Sequence, residues 1–548
     1  MSYNIADLFE HAVDFFPDRL AVACGDEEVT YAELEEQANR LAHHLADHGV
    51  AAGSHVAMCT RNRLQAIVTM LAVYKLRAAL INVNYRYTAS EIRYVLDNAD
   101  VVALVHERVY SDRVAEALPG APSVKHVVVL DDESDLAFTG TSYDEALVSG
   151  RPQRDFEERS NDDHYLLYTG GTTGMPKGVI WRHEDVWRTL GGGINFMTGE
   201  PLESEFAQAE MGKVTGGMVR LCLAPLIHGN AQWAALMALF GGDTVVLLTH
   251  FDPAEVWKAI ERRRVNVVVL IGDAMARPMI EAFQEKIPSG AYDTSSVYAI
   301  SSSAALFSQS VKNEYLQALP NAVITDAIGS SETGFMGIGM ITKDTEQGIG
   351  GPRVSAGKDT IVIDDYDKPI PAGSAEIGRL ARGGHIPLGY YKDPEKTARL
   401  FVEVEGKRYT VPGDFARHEA DGTITLLGRG NTCVNTGGEK VFPEEVEAAL
   451  MSHPDVFDVL VVGVPDDRLG QRVAAVVEAR PGSAPTFETL TEHVRRDIAG
   501  YKVPRSIWLV DKVQRLATGK ADYRWANEFA ANHSGDALCA PRSATSSA

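Results

Sequence analysis

YTGGTTGMPKG, residues 168 to 178, packs four glycines, three threonines and one lysine into eleven positions at the end of the apolar run YLLYT (165–169). A loop so poor in side chains exposes its backbone amides. A nest of N–H donors, with the hydroxyls of Thr169, Thr172 and Thr173 and the ammonium of Lys177, suits a polyphosphate. The Walker pattern does not fit, because Pro176 stands where a glycine should precede the lysine and Gly178 follows where Ser or Thr would bind magnesium. GxGxxG fits nowhere in the stretch, which sets aside a dinucleotide fingerprint. What remains is a strand, a donor-rich loop and a lysine, with a helix expected next.

Outward from this loop, short apolar runs alternate with helical stretches. VAMCT (56–60), VVALVH (101–106), HVVVL (126–130), VRLCLAP (219–225), DTVVLL (243–248), VNVVVLIG (265–272) and SVYAISSS (296–303) read as buried strands. Their spacing suits βα units, which points to an α/β fold with largely parallel sheets covered on both faces. Thr30-Tyr31-Ala32-Glu33 has capping-box form, and Leu34, Ala38, Leu41 and Leu45 follow at helical spacing, so a helix is expected over about 31–47. From about 358 the segments shorten and alternate, as in DDYDKPIPAG and EADGTITLLG, and an antiparallel, small β-barrel-like part is expected up to 428. A small mobile α+β domain is expected over 429–530, and the tail 531–548 has no periodicity and is expected to lack order.

The chain has 548 residues and a formal charge of −23, with no basic block, so nucleic acid and anionic lipid are poor partners. No apolar run approaches the ~20 residues of a membrane span. MSYNIADLFEH lacks the basic start and apolar centre of a secretory signal, and a cytoplasmic location is expected. The five cysteines, Cys24, Cys59, Cys222, Cys433 and Cys539, never stand at CxxC spacing, which suggests neither a disulfide framework nor a zinc site. Oligomeric state, monomer or homodimer, is left open.

Five further segments follow the loop in order: IGSSETG (328–334), GRLARGGHIPLGYYKDPEKT (378–397), YTVPGDFA (409–416), LGRGNTCVNTGGEKVFPEEVE (427–447) and RLATGKADY (515–523). Taken singly, each has an ordinary explanation: Asp414 after Pro-Gly suits a turn, Glu332 a surface, Lys520 a solvated loop. Together, the six resemble the ordered signatures of the adenylate-forming superfamily of acyl-CoA synthetases, peptide-synthetase adenylation domains and beetle luciferases.

That resemblance implies activation of a carboxylate on the α-phosphorus of ATP with release of pyrophosphate, then thioester formation with CoA. It implies that Thr169, Gly170, Gly171, Thr172, Thr173, Gly174 and Lys177 hold the β- and γ-phosphates, and that Glu332, with Thr173 beside it, carries Mg²⁺. Asp326, Gly329, Ser330, Ser331 and Thr333 would line the nucleotide, with Thr333 bonding a phosphate oxygen. Ser303, Ala304 and Ala305 would line the adenine. Asp414 would accept both ribose hydroxyls, next to Arg429. Lys520 would bridge carboxylate and α-phosphate oxygens where charge builds. His228 and Gly229 would stand at the acyl site. Rotation about the residue after Arg429-Gly430 would exchange Lys520 for Gly437, Gly438 and Glu439 against the pantetheine arm.

The chain departs from the family pattern at Gly170, where Ser is common, at Ile328, where an aromatic usually stacks on adenine, and at Asn431 and Thr432 in the hinge. Gly191-Gly192-Gly193, PLIHGNAQWAAL (225–236) and AISSSAALF (299–307) offer small and apolar residues near the expected acyl tunnel, and close helix packing accounts for them equally. YLLYTGGTTGMPKGVIWRHEDVWR, GDAMARP, DAIGSSETGF and AGYKVPRS resemble actinobacterial ligases that activate the side-chain carboxylate of cholesterol-derived steroids. A small apolar carboxylic acid of that kind is the leading substrate. A medium- or long-chain fatty acyl-CoA ligase is the alternative, followed by a carrier-protein adenylating enzyme, a luciferase-like oxygenase and a non-catalytic nucleotide-binding scaffold.

Overall fold

The computed structural model describes residues 2–171, 174–195, 200–287, 290, 292–305, 307–345, 352–430, 432–436, 439–466, 468–516, 520–533 and 537–539. Thr30 accepts from the Glu33 amide and the Glu33 carboxylate accepts from the Thr30 amide, so the expected capping box opens the helix Tyr31–Asp47. Such a cap stabilises a helix start by about 1 kcal/mol. Leu34, Ala38, Leu41 and Leu45 are wholly buried along one face.

Among the described residues the strands form four sheets. In the largest, Leu20–Cys24, Thr244–Leu247, Val219–Cys222, Val267–Leu270, Ala299–Ser303 and Val323–Ser330 run parallel in that order. Side chains alternate along each strand: Val267 and Val269 enter one apolar core, Val268 and Leu270 the other. That alternation is why runs such as Val267–Leu270 are apolar at every position, since a strand covered on both faces has no wet side. The five-stranded sheet built on His55–Cys59 and Val101–Glu107 is likewise parallel, with Val56 and Met58 facing one core and Ala57 and Cys59 another. Cys59 and Cys222 are apolar fillers, their thiols pushed up to about 12 by burial.

Beyond the parallel strands the sheet turns antiparallel at Gly334–Ile341, ahead of the expected 358, where the chain turns back on Val323–Ser330. From there Arg353–Ala356, Thr423–Arg429, Asp414–His418 and Ile377–Arg382 continue in unbroken hydrogen bonding from the parallel sheet. A six-stranded sheet follows, centred on the hairpin Val456–Asp466 with Gly470–Ala479, and its two faces also split between two cores. Order extends into the expected tail. The helix Tyr523–Asn532 runs past residue 531, and Leu538–Cys539 pairs with Ser506–Ile507, adding a short strand at the sheet edge.

Candidate active site

The glycine-rich stretch is a hairpin tip. His164–Gly171 and Gly174–Arg182 are antiparallel, with Thr169 opposite Lys177 and Gly171 opposite Gly174. The helix expected directly after the loop is therefore a strand, and helix only begins at His183. The β-branched and aromatic run Val179-Ile180-Trp181 accounts for this: Val179 and Trp181 enter one core, and Ile180 packs on the other. Gly178 is required by contact, since a Cβ there would stand 2.7 Å from the Tyr168 ring. Thr172 and Thr173 lie outside the described residues. Gly170, Gly171 and Gly174 belong to the hairpin strands.

On its outer edge the hairpin pairs with Gly389–Tyr390, and this places a residue that sequence reasoning passed over. The Lys177 ammonium lies 5.5 Å from the Tyr390 ring centre, and the Tyr390 hydroxyl donates to Glu332 at 2.9 Å. Burial depresses the Lys177 ammonium, the nearby Lys396 adds to this, and Asp393 and Glu332 oppose it. Tyr390 stood inside a quoted segment, but only strand pairing across two distant pieces of chain brings it to both residues.

Glu332 sits in the tight turn between Gly329-Ser330 and Gly334. The Ser330 amide donates to the Thr333 hydroxyl at 2.9 Å, and the Glu332 amide donates to the Ser330 hydroxyl at 3.2 Å. Trp181 Nε1 donates to the Ser331 carbonyl at 2.9 Å. Thr333 is wholly buried and its hydroxyl donates to the Gly334 carbonyl, so it braces the turn that presents Glu332. Asp326, one strand residue set further back, is ion-paired with buried Lys312, and burial raises its carboxyl despite that partner. Ile328 faces the antiparallel core with Met336 and Val354, which turns its side chain away from any role as a stacking surface.

Asp414 and Arg429 face each other in antiparallel register, with Arg429 Nε donating to Asp414 at 3.2 Å. Lys520, which precedes the helix Tyr523–Asn532, comes under the same electrostatic influence. Its ammonium is depressed by desolvation and then by Arg429, while Glu332 and Asp414 act against that shift. Those partners identify its surroundings: Glu332, Asp414, Arg429 and Lys520 are electrostatic neighbours, although almost two hundred residues separate Glu332 from Lys520 in the sequence. After the strand Thr423–Arg429 the chain is held by Gly430 N to Gly413 O at 3.0 Å and by Thr432 Oγ1 to Arg429 O at 2.8 Å. Gly428 has φ +126°, and a Cβ there would collide with Glu444, half-buried at the start of helix Pro443–Met451. Asn431, Gly437 and Gly438 lie outside the described residues, and Glu439 is exposed at the start of Glu439–Val441, paired with Thr436.

His228 is the N-cap residue of helix Gly229–Phe240. Its Nε2 is buried without a hydrogen-bond partner, and the imidazole is pushed down to about 4 by burial, then by Lys520 and Arg86. An orphaned buried nitrogen beside Lys520 marks a place where a polar ligand atom is wanted. A Cβ on Gly229 would stand 2.5 Å from Leu167, so glycine lets the helix start close to the hairpin. Two buried asparagines hold this loop, and neither was singled out by its sequence context. Asn82 donates to the Tyr168 and Ile227 carbonyls, both at 2.7 Å, and accepts from the Tyr168 amide, while Asn62 accepts from the Leu226 amide. Ser303 Oγ is buried without a partner, Ala304 has φ +67°, and the Ala305 amide turns back to the Ser303 carbonyl. Gly191 and Gly193 are filled by the Trp187 indole, at 2.8 and 2.7 Å from their would-be Cβ atoms. That triplet serves close packing and does not open a tunnel at that point.

The arrangement is a carboxylate braced by a turn and a tyrosine, a second carboxylate on an arginine, and lysines arriving from the hairpin and from the C-terminal domain. The chain belongs to the AMP-binding enzyme family, whose pattern matches residues 9–391, and the AMP-binding enzyme C-terminal domain matches residues 445–520. It is similar to the 3-oxocholest-4-en-26-oate-CoA ligase of Rhodococcus rhodochrous, 55% identical over 96% of each chain. It is 53% identical, again over 96% of each chain, to the medium/long-chain-fatty-acid-CoA/3-oxocholest-4-en-26-oate-CoA ligase of Mycolicibacterium smegmatis. Among solved structures, the anthranilate CoA ligase AuaEII in complex with anthranoyl-AMP shares the fold, with a TM-score of 0.81 at 22% identity over 97% of this chain and 100% of that one. No described helix is long and apolar enough to cross a membrane.

Proposed function

We propose that this chain is an ATP-dependent, AMP-forming acyl-CoA ligase for an apolar carboxylic acid, the side-chain carboxylate of a cholesterol-derived steroid being the leading substrate. The observation that carries the reading is the meeting of Lys520 with Glu332, Asp414 and Arg429 across two domains, beside the orphaned imidazole of His228. The names of the relatives support the substrate class, and the second of them also supports a medium- or long-chain fatty acid as the alternative.

In this reading the hairpin around Thr169–Lys177 grips the β- and γ-phosphates. Lys520 stabilises the charge that builds between carboxylate and α-phosphate. Asp414, oriented by Arg429, accepts the ribose hydroxyls. The Glu332 carboxylate, fixed by Tyr390 and close to Lys177, fits a magnesium ion held by one carboxylate and substrate phosphates; the ion would supply charge neutralisation. The domain boundary is assigned to 429, with rotation at 430–431 bringing the hairpin of Val434–Thr436 and Glu439–Val441 toward CoA for the second half-reaction. Pyrophosphate release and acyl-CoA formation, measured on C22–C24 steroid acids and straight-chain acids with and without CoA, test the reading. CoA-dependent product with steroid acids is expected. Equal turnover of palmitate removes the steroid preference, and product formation independent of CoA removes the ligase.

A further inference from the structure

On the side of the five-stranded sheet, three histidines from two separate pieces of chain converge. His44 lies in the last turn of helix Tyr31–Asp47, His48 caps that helix four residues on, and His126 opens the strand His126–Leu130. Their ligating nitrogens all lie within 4.8 Å of one another, and no other group of three His, Cys, Asp or Glu side chains converges in this way among the described residues. His44 and His126 are buried, whereas His48 is exposed and gives access from solvent.

The hydrogen bonds around the cluster decide which nitrogens carry protons. Ser149 Oγ lies 2.8 Å from His44 Nδ1 and 3.1 Å from the Ala146 carbonyl; in the tautomer that bares His44 Nε2, the ring donates Nδ1–H to the hydroxyl and the hydroxyl donates to the carbonyl. His48 Nδ1 stands 2.7 Å from the His44 carbonyl, which can only accept. His48 is therefore protonated at Nδ1 and presents a bare Nε2 lone pair, and His44 does the same in that tautomer. His126 Nε2 is 2.9 Å from His44 Nε2, and between two neutral rings one proton must fill that gap. An imidazole whose Nδ1–H is held by a serine hydroxyl or a main-chain carbonyl is oriented as metal-binding histidines are.

We propose that His44, His48 and His126 form a binding site for one divalent transition-metal ion of the zinc type, built from none of the candidate nucleotide-site residues, which staples helix Tyr31–Asp47 to the five-stranded sheet. Imidazole donors suit zinc, nickel and copper and not magnesium or calcium. Two ligands at about 2.0–2.1 Å in tetrahedral geometry lie roughly 3.3 Å apart, so the His44 to His126 distance opens by only a few tenths of an ångström. The His126 proton moves from Nε2 to Nδ1 as its lone pair turns to the ion. The exposed His48 ring, now stacked 3.9 Å from His126, swings off the stack to direct its Nε2 inward.

The experiment uses the full-length chain free of any affinity tag, without CoA. Zinc binding is followed by calorimetry, and the coordination by the visible spectrum of the cobalt-substituted protein. One equivalent of zinc is expected, with a tetrahedral cobalt spectrum and a rise in melting temperature. Ser149→Ala is expected to weaken binding about 10- to 100-fold by freeing the His44 ring. His48→Ala, at an exposed position, is expected to abolish the spectrum and the melting shift while zinc-free pyrophosphate release stays unchanged. Absence of saturable binding in the wild-type chain, or binding that survives His48→Ala unaltered, overturns the proposal.

Discussion

The Tyr390 hydroxyl donates to the Glu332 carboxylate at 2.9 Å, linking the outer edge of the glycine hairpin to the turn that follows Ser330. The same ring lies under the Lys177 ammonium, so one tyrosine sets the spacing of a carboxylate and a lysine contributed by different sheets. Tyr390→Phe keeps the ring and removes the donor. A hydrogen bond to a charged group contributes about 1.5–3 kcal/mol, so kcat/KM for adenylation is expected to fall about 10- to 100-fold with little change in melting temperature. Pyrophosphate release and a thermal melt read the two effects separately.

Lys520→Ala is expected to lower adenylation by about 10²–10³-fold, as does loss of one donor aimed at developing negative charge. Thioester formation from supplied acyl-adenylate should be retained, because in the proposed cycle Lys520 has left the site by then. Measuring the two half-reactions apart checks this, and equal loss of both would assign Lys520 to folding.

The pH profile of adenylation should carry the signature of the same residue. Desolvation, followed by repulsion from Arg429, holds the Lys520 ammonium below the ordinary lysine value, with Glu332 and Asp414 opposing. A depressed lysine loses its charge as pH rises through its lowered value. An alkaline decline in single-turnover adenylation is expected below the ordinary value of about 10.4, and it should be missing from the thioester step.

Glu447 is wholly enclosed in the C-terminal domain, accepting from the Val461 amide at 2.8 Å and the Tyr523 hydroxyl at 3.1 Å, with Glu444 nearby. Burial, then Glu444, raises its carboxyl to about 8. The folded state therefore keeps a proton that the unfolded chain releases above about 4.3, and stability falls as pH rises from there toward the folded value. Glu447→Gln is expected to melt higher than wild type at a pH near 9 and to lose that advantage near pH 5, by calorimetry at both.

Asn82→Ala removes three hydrogen bonds that tie the hairpin at Tyr168 to the loop before His228. Leaving three buried backbone groups unpaired costs about 1–3 kcal/mol each, and a total loss of at least about 3 kcal/mol is expected in urea unfolding. KM for the acid should rise along with it, since His228 loses its support.

The six ordered motifs lie in local sequence, and so did the buried strands: a run such as VNVVVLIG can only be covered on both faces, whatever the rest of the chain does. The helix opened by Thr30 was equally legible, because its cap and its apolar stripe are both contained within seventeen residues. The strand after the glycine loop was not, since Gly174–Arg182 is strand by virtue of partners on two sides, one of them Gly389–Tyr390. Thr333 as a brace, Ile328 as core and Leu538–Cys539 as a sheet edge were likewise decided by what each residue meets across the fold. By itself the sequence determined which chemical groups are present and in what order, because short-range pattern and motif spacing are local properties. Only the tertiary structure decided which groups share one electric field: Lys520 beside Glu332 and Asp414, Tyr390 on Glu332, and three histidines around one point. Such meetings depend on strand register and domain packing, in which residues far apart along the chain become neighbours.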